Sequence, residues 1–423
     1  MKIHLPAIAR AFGHRNYRLF YAGQLISLCG TWMQMVAQSW LIYRLTGSAL
    51  LLGLVSFSSQ IPMLIMSPLG GATADRFEKR KILLATQTTS MVLSLLLAGL
   101  TLAGHIKVWE IVVIAAIMGA IHAFDMPARH AFVVEMVGKK DLVNAIALNS
   151  SMFNAARVLG PSIGGVIVAS FGEGWCFLLN GLSFCTMIAA LLMMHFAPQK
   201  SQRHHETALS SILSGFVFSW NTLPIRSLLI LLAVVSLLGM PYTVLMPIFA
   251  REILGGGPQT LGILMGSVGV GAFTGALVLA ARKEVHGLGQ WIMLSAAGFG
   301  ISLLFFSFST NIWLSAALLF PAGFFFIGQM ASSNTLIQTI VPDRLRGRAM
   351  SVYSMMFVGI APFGSLMAGA CAEHLGAPAT VAICGLACIL ASVLFGLGLS
   401  KFSHTARQMI VDAEAASGTP AEE

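Results

Sequence analysis

What most constrains this chain is where its charges are absent. Strongly apolar runs, nearly free of charge, fall at 19–43, 48–71, 82–103, 108–127, 146–170 and 173–196. After a break they resume at 225–249, 259–281, 289–309, 313–335, 350–372 and 377–399. Each is long enough to cross a bilayer core, which takes roughly 20 apolar residues. Only 10% of the 423 residues are charged, against about 25% in soluble domains. A soluble enzyme is therefore excluded, as is intrinsic disorder, which needs the opposite composition. Twelve spans take up roughly 240 residues and leave no room for large domains outside the membrane. The expected fold is all-α and integral to the membrane, with twelve transmembrane helices in two six-helix bundles.

Lys and Arg fix the orientation. With the N-terminus inside, 21 of the 25 fall on inner segments: the N-terminus, 76–81, 129–140, 200–226, 282–283, 344–348 and the C-terminus. Arg44, Lys107 and Arg251 fall outside, and Arg157 lies within a span. The positive-inside rule then puts both termini in the cytoplasm of a multi-pass cell-membrane protein. The net charge of +9 serves this bias; no basic and aromatic run marks a nucleic-acid surface. The six cysteines lie in or beside apolar runs without a CxxC pair, so no metal or redox site is expected. The basic N-terminus lacks a cleavage site, and the first span is expected to be retained.

The organisation follows as an N-terminal bundle over 1–196, a cytoplasmic linker over 197–224, a C-terminal bundle over 225–400 and a cytoplasmic tail over 401–423. In the linker Leu209, Ile212, Leu213, Phe216, Val217 and Trp220 form one stripe opposite Ser210, Ser211 and Ser214, as in a helix lying in the membrane interface. His204-His205-Glu206 reads as solvated linker. A shift of 204 positions superposes Met152, Phe153, Gly160 and Gly165 on Met356, Phe357, Gly364 and Gly369. Parallel six-helix repeats are a transporter architecture with the substrate site between the halves.

No Walker A, HExxH or GxSxG sequence is present, so no enzyme is expected and no cofactor is implied. The first inner loop reads Gly71-Ala-Thr-Ala-Asp75-Arg76-Phe-Glu78-Lys79-Arg80-Lys81. An acid at a helix end followed by bases can dock on neighbouring helix termini and lock one conformation. His122, Asp125 and Arg129 share a face near the inner boundary, where Asp125 is expected to meet Arg76 or Arg80. Gly71, Asp75, Arg76, Arg80, Asp125 and Arg129 are the candidate gating latch.

The Gly71–Lys81 segment resembles motif A of the major facilitator superfamily, with Glu78 where most members have glycine. Asn16-Tyr-Arg18-Leu-Phe, Gly30-Thr-Trp32-Met-Gln34, Leu45-Thr-Gly47-Ser48, Asp125-Met-Pro127-Ala-Arg129 and Val341-Pro342-Asp343-Arg344-Leu-Arg346-Gly347-Arg348 resemble its drug and siderophore exporters, notably the enterobactin-exporter-like branch. Span five carries Gly160-Pro161-Ser162-Ile163-Gly164-Gly165, a bendable and closely packing sequence. It is similar to motif C of proton-coupled antiporters, with Ala156 replacing an expected glycine. The resemblance implies latching of the outward-facing state, export and proton coupling.

Arg157 stands 11 residues into span five, about 16 Å deep. A lone arginine there costs at least ~2.5–3.5 kcal/mol, so it faces a partner, a cavity or the cargo. On span one Gln24, Ser27, Thr31, Gln34 and Gln38 share a face expected to line a wet path. Tyr242, Gln329, Asn334 and Tyr353 are the candidate pocket polars of the second half. The substrate cavity is therefore assigned to Gln24, Thr31, Gln34, Gln38, Arg157, Tyr242, Gln329, Asn334 and Tyr353. The span-five motif is assigned to Gly160, Pro161, Gly164 and Gly165.

The favoured function is a secondary active exporter of a small organic molecule, siderophore or drug-like, working as a monomer by alternating access with protons as coupling ion. An importer of the same fold keeps the fold but gives the span-five motif no meaning. A non-transporting receptor or assembly partner leaves Arg157 without a use. Reporter fusions at residue 200 and at the C-terminus are expected to report the cytoplasm, and one after residue 255 the outside. A C-terminus outside would leave an odd number of spans and overturn the twelve-span arrangement.

Overall fold

The computed structural model describes residues 7–195, 208–282 and 287–417, and all its regular elements there are helical. The described part begins with a short 3-10 helix, Ala7–Gly13. Then follow α1 (Arg15–Thr46), α2 (Ala49–Arg76), α3 (Lys79–Leu102), α4 (Val108–Phe171) and α5 (Glu173–Met193). Next come α6 (Ala208–Asn221) within the linker, α7 (Leu223–Val234), α8 (Tyr242–Ile248), α9 (Pro258–Ala281) and α10 (Leu288–Ser307). The chain ends with α11 (Ile312–Ile340), α12 (Asp343–Ser354), α13 (Ala361–Leu375), α14 (Ala377–Leu397) and α15 (Leu399–Ser417).

Ten helices among the described residues are long and apolar enough to cross a membrane. One of them, α4, has 64 residues and is broken at Gly138, with φ 69° and ψ 175°. That left-handed φ is open to glycine and strained for other residues, so one helix serves as the expected spans four and five. The arm 108–137 alone is about 45 Å long, longer than the roughly 30 Å hydrocarbon core, and so runs past its boundary. The 32-residue α1 is absent from the ten because its polar seam dilutes its apolar character. Counting α1 and both arms of α4 gives the twelve expected crossings. Two crossings are interrupted by π-helical turns, Val235–Gly239 and Phe249–Ile253 in one, Met355–Gly359 in the other.

Local sequence explains the turns. In Leu45-Thr-Gly47-Ser48, Gly47 (φ 63°) ends α1 with its N–H on the Tyr43 carbonyl, and the Ser48 hydroxyl accepts from Leu51 N at the start of α2. Asn311 caps α11 in the same manner, accepting from Trp313 N and Leu314 N. Each cap satisfies donors that a helix start leaves open.

The chain forms two compact units: the described residues of 1–204 together with 246–269, and those of 205–245 together with 270–423. In the first, α2 packs on α4, and α1 and α3 both pack on α5. In the second, α10 packs on both α11 and α14. The internal repeat reappears as matching close approaches. A Cβ added at Gly181 would meet Leu95, and one at Gly385, 204 residues on, would meet Gly300, 205 residues past Leu95. Gly70 likewise abuts the Ala123 carbonyl, as Gly275 abuts that of Phe324.

Residues 196–207, with His204-His205-Glu206 of the linker, lie outside the described residues, as do the side chains of 208–214 in the amphipathic stripe. Phe216, Val217 and Trp220 of that stripe are described and exposed on α6. Gly138→Ala is expected to destabilise the protein by about 1 kcal/mol or more, because alanine must adopt a positive φ. Thermal unfolding of the purified protein checks this, with Lys139→Ala, expected to be near neutral, as control.

Candidate functional site

One end of unit 1 is clasped by the Asn16-Tyr-Arg18 segment. Asn16 Nδ2 donates to the His195 carbonyl at 2.9 Å, and the Tyr17 hydroxyl donates to Ala145 O and Asn149 Oδ1, each at 3.0 Å. Arg18 donates to Phe12 O at 2.7 Å, and His14 meets Asp141 at 3.0 Å. Tyr17, Phe20, Leu83, Phe132 and Met187 form the buried cluster beneath.

Asp125 differs from expectation in its partner. It pairs with neither Arg76 nor Arg80. Its Oδ2 is bound by Arg129 of the same helix, one turn on, through Nε at 2.8 Å and through Nη2. Its Oδ1 accepts from Thr86 Oγ1 at 2.8 Å and Gln87 Nε2 at 2.9 Å, both on α3. The i,i+4 spacing puts the two charges on one helix face, and the α3 donors fill the other oxygen. Burial of Asp125 is thus matched by three hydrogen-bonding partners, which is what a charge needs away from water.

The basic loop has its own contacts. Arg80 donates to the Leu191 and Leu192 carbonyls at 2.7 and 3.0 Å, at the C-terminal end of α5 where the helix dipole favours a cation. Lys79 pairs with Glu135 at 3.1 Å, and Lys81 with Glu78 at 2.9 Å. Glu78, the departure from motif A, therefore has an ion-pair role. Asp75 and Arg76 are exposed, and Gly71 faces open space.

The seam of α1 divides. Gln34 accepts from Asn180 Nδ2 at 2.7 Å in a buried knot with Ser94 and Ser183, and Gly30 lies against Asn180 and Ser183. The Thr31 hydroxyl bonds back to Ser27 O at 3.0 Å. Gln24 is buried, and its Oε1 has no hydrogen-bond partner among the described residues. Gln38 is half-buried.

The second arm of α4, 139–171, lies between two neighbours. Gly160 and Gly164 face Cys29 and Met33 of α1, while Gly165 faces α9. A Cβ on Gly165 would sit 2.6 Å from Pro258 O and 2.9 Å from Gly262 Cα; one on Gly262 would sit 2.8 Å from Pro161 O. Gly266 meets Ser162, and Gly269 meets the Arg157 carbonyl at 2.9 Å by the same measure. Arg157 is about 21 Å from the Phe171 end. Its guanidinium lies 6.0 Å from the Trp32 ring, which Phe153 also meets edge-on at 5.7 Å. Past the Phe171 end Arg44 grips Glu173 with two hydrogen bonds, 2.7 and 3.2 Å, and the Tyr43 hydroxyl bonds Glu252.

In unit 2, Tyr242 and Tyr353 are joined by an aromatic series. Tyr242 meets Phe299 at 5.9 Å, Phe299 meets Phe326 at 5.5 Å, Phe326 meets Phe357 at 6.2 Å, and Phe357 meets Tyr353 at 6.4 Å. The Tyr353 hydroxyl donates to Met330 O at 2.9 Å. Asn334 accepts from Gln338. Gln329 is fully buried, with Nε2 3.5 Å from Ser333 Oγ.

Asn180, Thr86, Gln87, Glu252 and the Gly262, Gly266, Gly269 stripe were not anticipated. The usable signals were a lone amide inside span six and glycines spaced four and three apart on one helix face. Among the described residues no group of His, Cys, Asp and Glu could hold a metal.

A family model described as transmembrane secretion effector matches residues 9–413. The chain is 27% identical to the staphyloferrin A transporter of Staphylococcus aureus, over 89% of this chain and 95% of that one. It is 26% identical to the multidrug efflux pump Tap of Mycolicibacterium fortuitum, over 86% and 91%. Among solved structures it matches the nucleoside transporter NupG with a TM-score of 0.73 at 13% identity, over 92% of this chain and 99% of that one. A D-xylose-proton symporter matches with a TM-score of 0.67 at 16% identity, over 90% and 96%.

Removing one partner of a buried ion pair strands the other, at about 3–5 kcal/mol, whereas replacing both with apolar groups is often neutral. Asp125→Leu alone is therefore expected to lower stability by about that amount, and Asp125→Leu with Arg129→Met to recover most of it. Thermal unfolding of the single and double variants checks the pair.

Proposed function

The chain belongs to the transmembrane secretion effector family of major facilitator transporters, and on that footing we propose that it exports a small organic anion or drug-like molecule from the cytoplasm. It is a membrane-spanning transporter and not an enzyme. Export proceeds by alternating access against inward proton flow, with both termini cytoplasmic. The observation that carries this reading is Arg157, a cation deep in α4 beside Trp32. Cation and indole together suit a cargo with carboxylate or catecholate oxygens on an aromatic or apolar body. The names of two relatives, a staphyloferrin A transporter and a multidrug efflux pump, fit that range.

The cargo path is assigned to Arg157 with Gln24, Thr31 and Gln38 in the first half and Tyr242, Gln329, Asn334 and Tyr353 in the second. Gln34 serves it by holding α1 to α5 through Asn180. Gly160, Pro161, Gly164 and Gly165 let α4 approach α1 and α9 closely enough for the outer side to close. Gly71, Asp75, Arg76 and Arg80 latch the inner side, with Asp125 and Arg129 bracing α4 against α3. Proton coupling is what the family resemblance implies and is assigned to no carboxylate here; Asp125 stays the ion-pair partner of Arg129.

Arg157→Ala is expected to abolish efflux while leaving expression and thermal stability close to wild type. Arg157→Lys should restore little, because lysine keeps the charge but not the planar fork that binds two oxygens at once. Efflux and stability are measured in the same membranes. Lost stability in Arg157→Ala with full rescue by lysine would make the residue a helix tie, and undiminished efflux by a stable Arg157→Ala would overturn the assignment.

A further inference from the structure

A groove of about 190 Å³ opens between α6, α7 and the end of α12. Ser219 and Trp220 of α6, Ile230 and Ala233 of α7, Val352 of α12 and Met356 are among its walls. The walls are hydrocarbon except for the buried Ser219 hydroxyl, which has no hydrogen-bond partner among the described residues. Trp220 stacks on Phe216 at 5.8 Å with ring planes 11° apart, so the α6 side is a flat aromatic wall. Ile230 and Trp220 are 47% and 49% exposed. The groove is thus open, and its surface suits an alkyl chain better than water.

Charge marks one end of it. Arg226 lies one turn before Ile230 on α7, and Arg348 one turn before Val352 on α12. Both are on the N-terminal side of the groove, the side that the Lys and Arg distribution assigns to the cytoplasm. Gly215 brings α6 against the Arg348 backbone, where an added Cβ would be 2.8 Å from its carbonyl oxygen. Arg226 is half-buried near the start of α7.

Both wall helices turn π-helical just past the groove, at Val235–Gly239 and Met355–Gly359, and Met356 belongs to both groove and turn. The Ser236 hydroxyl donates to Phe357 O at 2.5 Å and ties the two turns together. Single π turns recur at functional sites inside helices.

We infer that this groove binds one acyl chain of an anionic phospholipid of the inner leaflet, with the lipid phosphate held by Arg226 and Arg348. Two guanidinium groups select an anionic head, since arginine matches phosphate oxygens with paired hydrogen bonds. Basic pockets between membrane helices on the inner side bind such heads, and the groove continues from them as hydrocarbon. The bound chain lies against the paired π turns and sets the separation of α7 and α12 there. This site is independent of the cargo path and of the direction of transport.

The test offers the purified full-length protein equal amounts of phosphatidylglycerol and phosphatidylcholine and counts retained lipid by native mass spectrometry. Wild type is expected to retain one phosphatidylglycerol at least tenfold over phosphatidylcholine. Arg226→Gln with Arg348→Gln should bring the two lipids to parity. Ile230→Trp should abolish retention by filling the groove with both arginines intact; at a half-exposed position it spares the packing, and an unchanged thermal midpoint verifies that. If the double variant fails to fold, Arg226→Gln alone should lower retention severalfold. Equal retention of both lipids by wild type overturns the inference, as does undiminished phosphatidylglycerol on a folded Ile230→Trp protein or on folded arginine variants. The readout is lipid rather than transport, so its failure leaves the export reading untouched.

Discussion

In a bilayer core no water is present to bond a backbone amide, so each N–H and C=O must find its partner inside its own helix. Every regular element described in this chain is helical, and the rest of the architecture depends on that. Breaks in the bonding ladder fall at in-helix prolines such as Pro62, Pro127, Pro161 and Pro321 and at the π-helical turns. Once all the spans are helical and apolar, hydrophobicity cannot tell them which neighbour to choose, because lipid tails are as apolar as leucine. Partner choice passes to whatever differs from leucine. Here that is glycine, where backbones must touch, and a small set of buried polar side chains. Asn180 illustrates the second group: one amide on α5 reaches Gln34 of α1 and Ser94 of α3 and so joins three helices.

Charge is handled differently in the two kinds of place where it occurs. At the loop between α2 and α3, Arg80 and Lys79 make specific contacts, a carbonyl cap on α5 and an ion pair with Glu135. Deeper in, Asp125 is surrounded by donors from α3 and by the arginine one helical turn away on α4. A pair made within one helix forms with the helix itself and does not depend on the position of a distant loop. That explains why Asp125 takes Arg129 as its partner when the inner loop carries four other cations.

The sequence was legible wherever a local rule operates. The apolar runs mark the spans, Gly47 and Ser48 mark a turn, and the internal repeat seen as Gly160 over Gly364 extends to paired contacts at Gly181 and Gly385. It was less legible wherever the outcome depends on which helix comes alongside. The five-residue polar seam of α1 reads as one face, yet Gln34 goes into a knot with Asn180 while Gln38 stays half-buried. Spans four and five read as separate runs because charges interrupt them, whereas the helix persists through those charges beyond the hydrocarbon boundary and breaks only at Gly138. The glycine stripe of α9 acquires meaning only when Gly165 of α4 lies against it.

These contacts fall into two energetic kinds. The ties of α1, α3 and α5 to one another run through buried amides, hydroxyls and carbonyl caps, and separating them in hydrocarbon would strand polar groups at a cost of several kcal/mol each. The approach of α4 to α9 is made of Gly165, Gly262, Gly266 and Gly269 against backbone. Such a contact is held by dispersion over a small area, a few tenths of a kcal/mol per atom pair at most, and its amides remain bonded within their own helices when it opens. A helix pair of this second kind can part and re-form without exposing an unpaired donor. On the export reading proposed above, a transporter that alternates its access needs rigid groups of helices with contacts of low polarity where they move. In this chain the polar ties supply the first requirement, and the glycine face between α4 and α9 has the chemistry of the second.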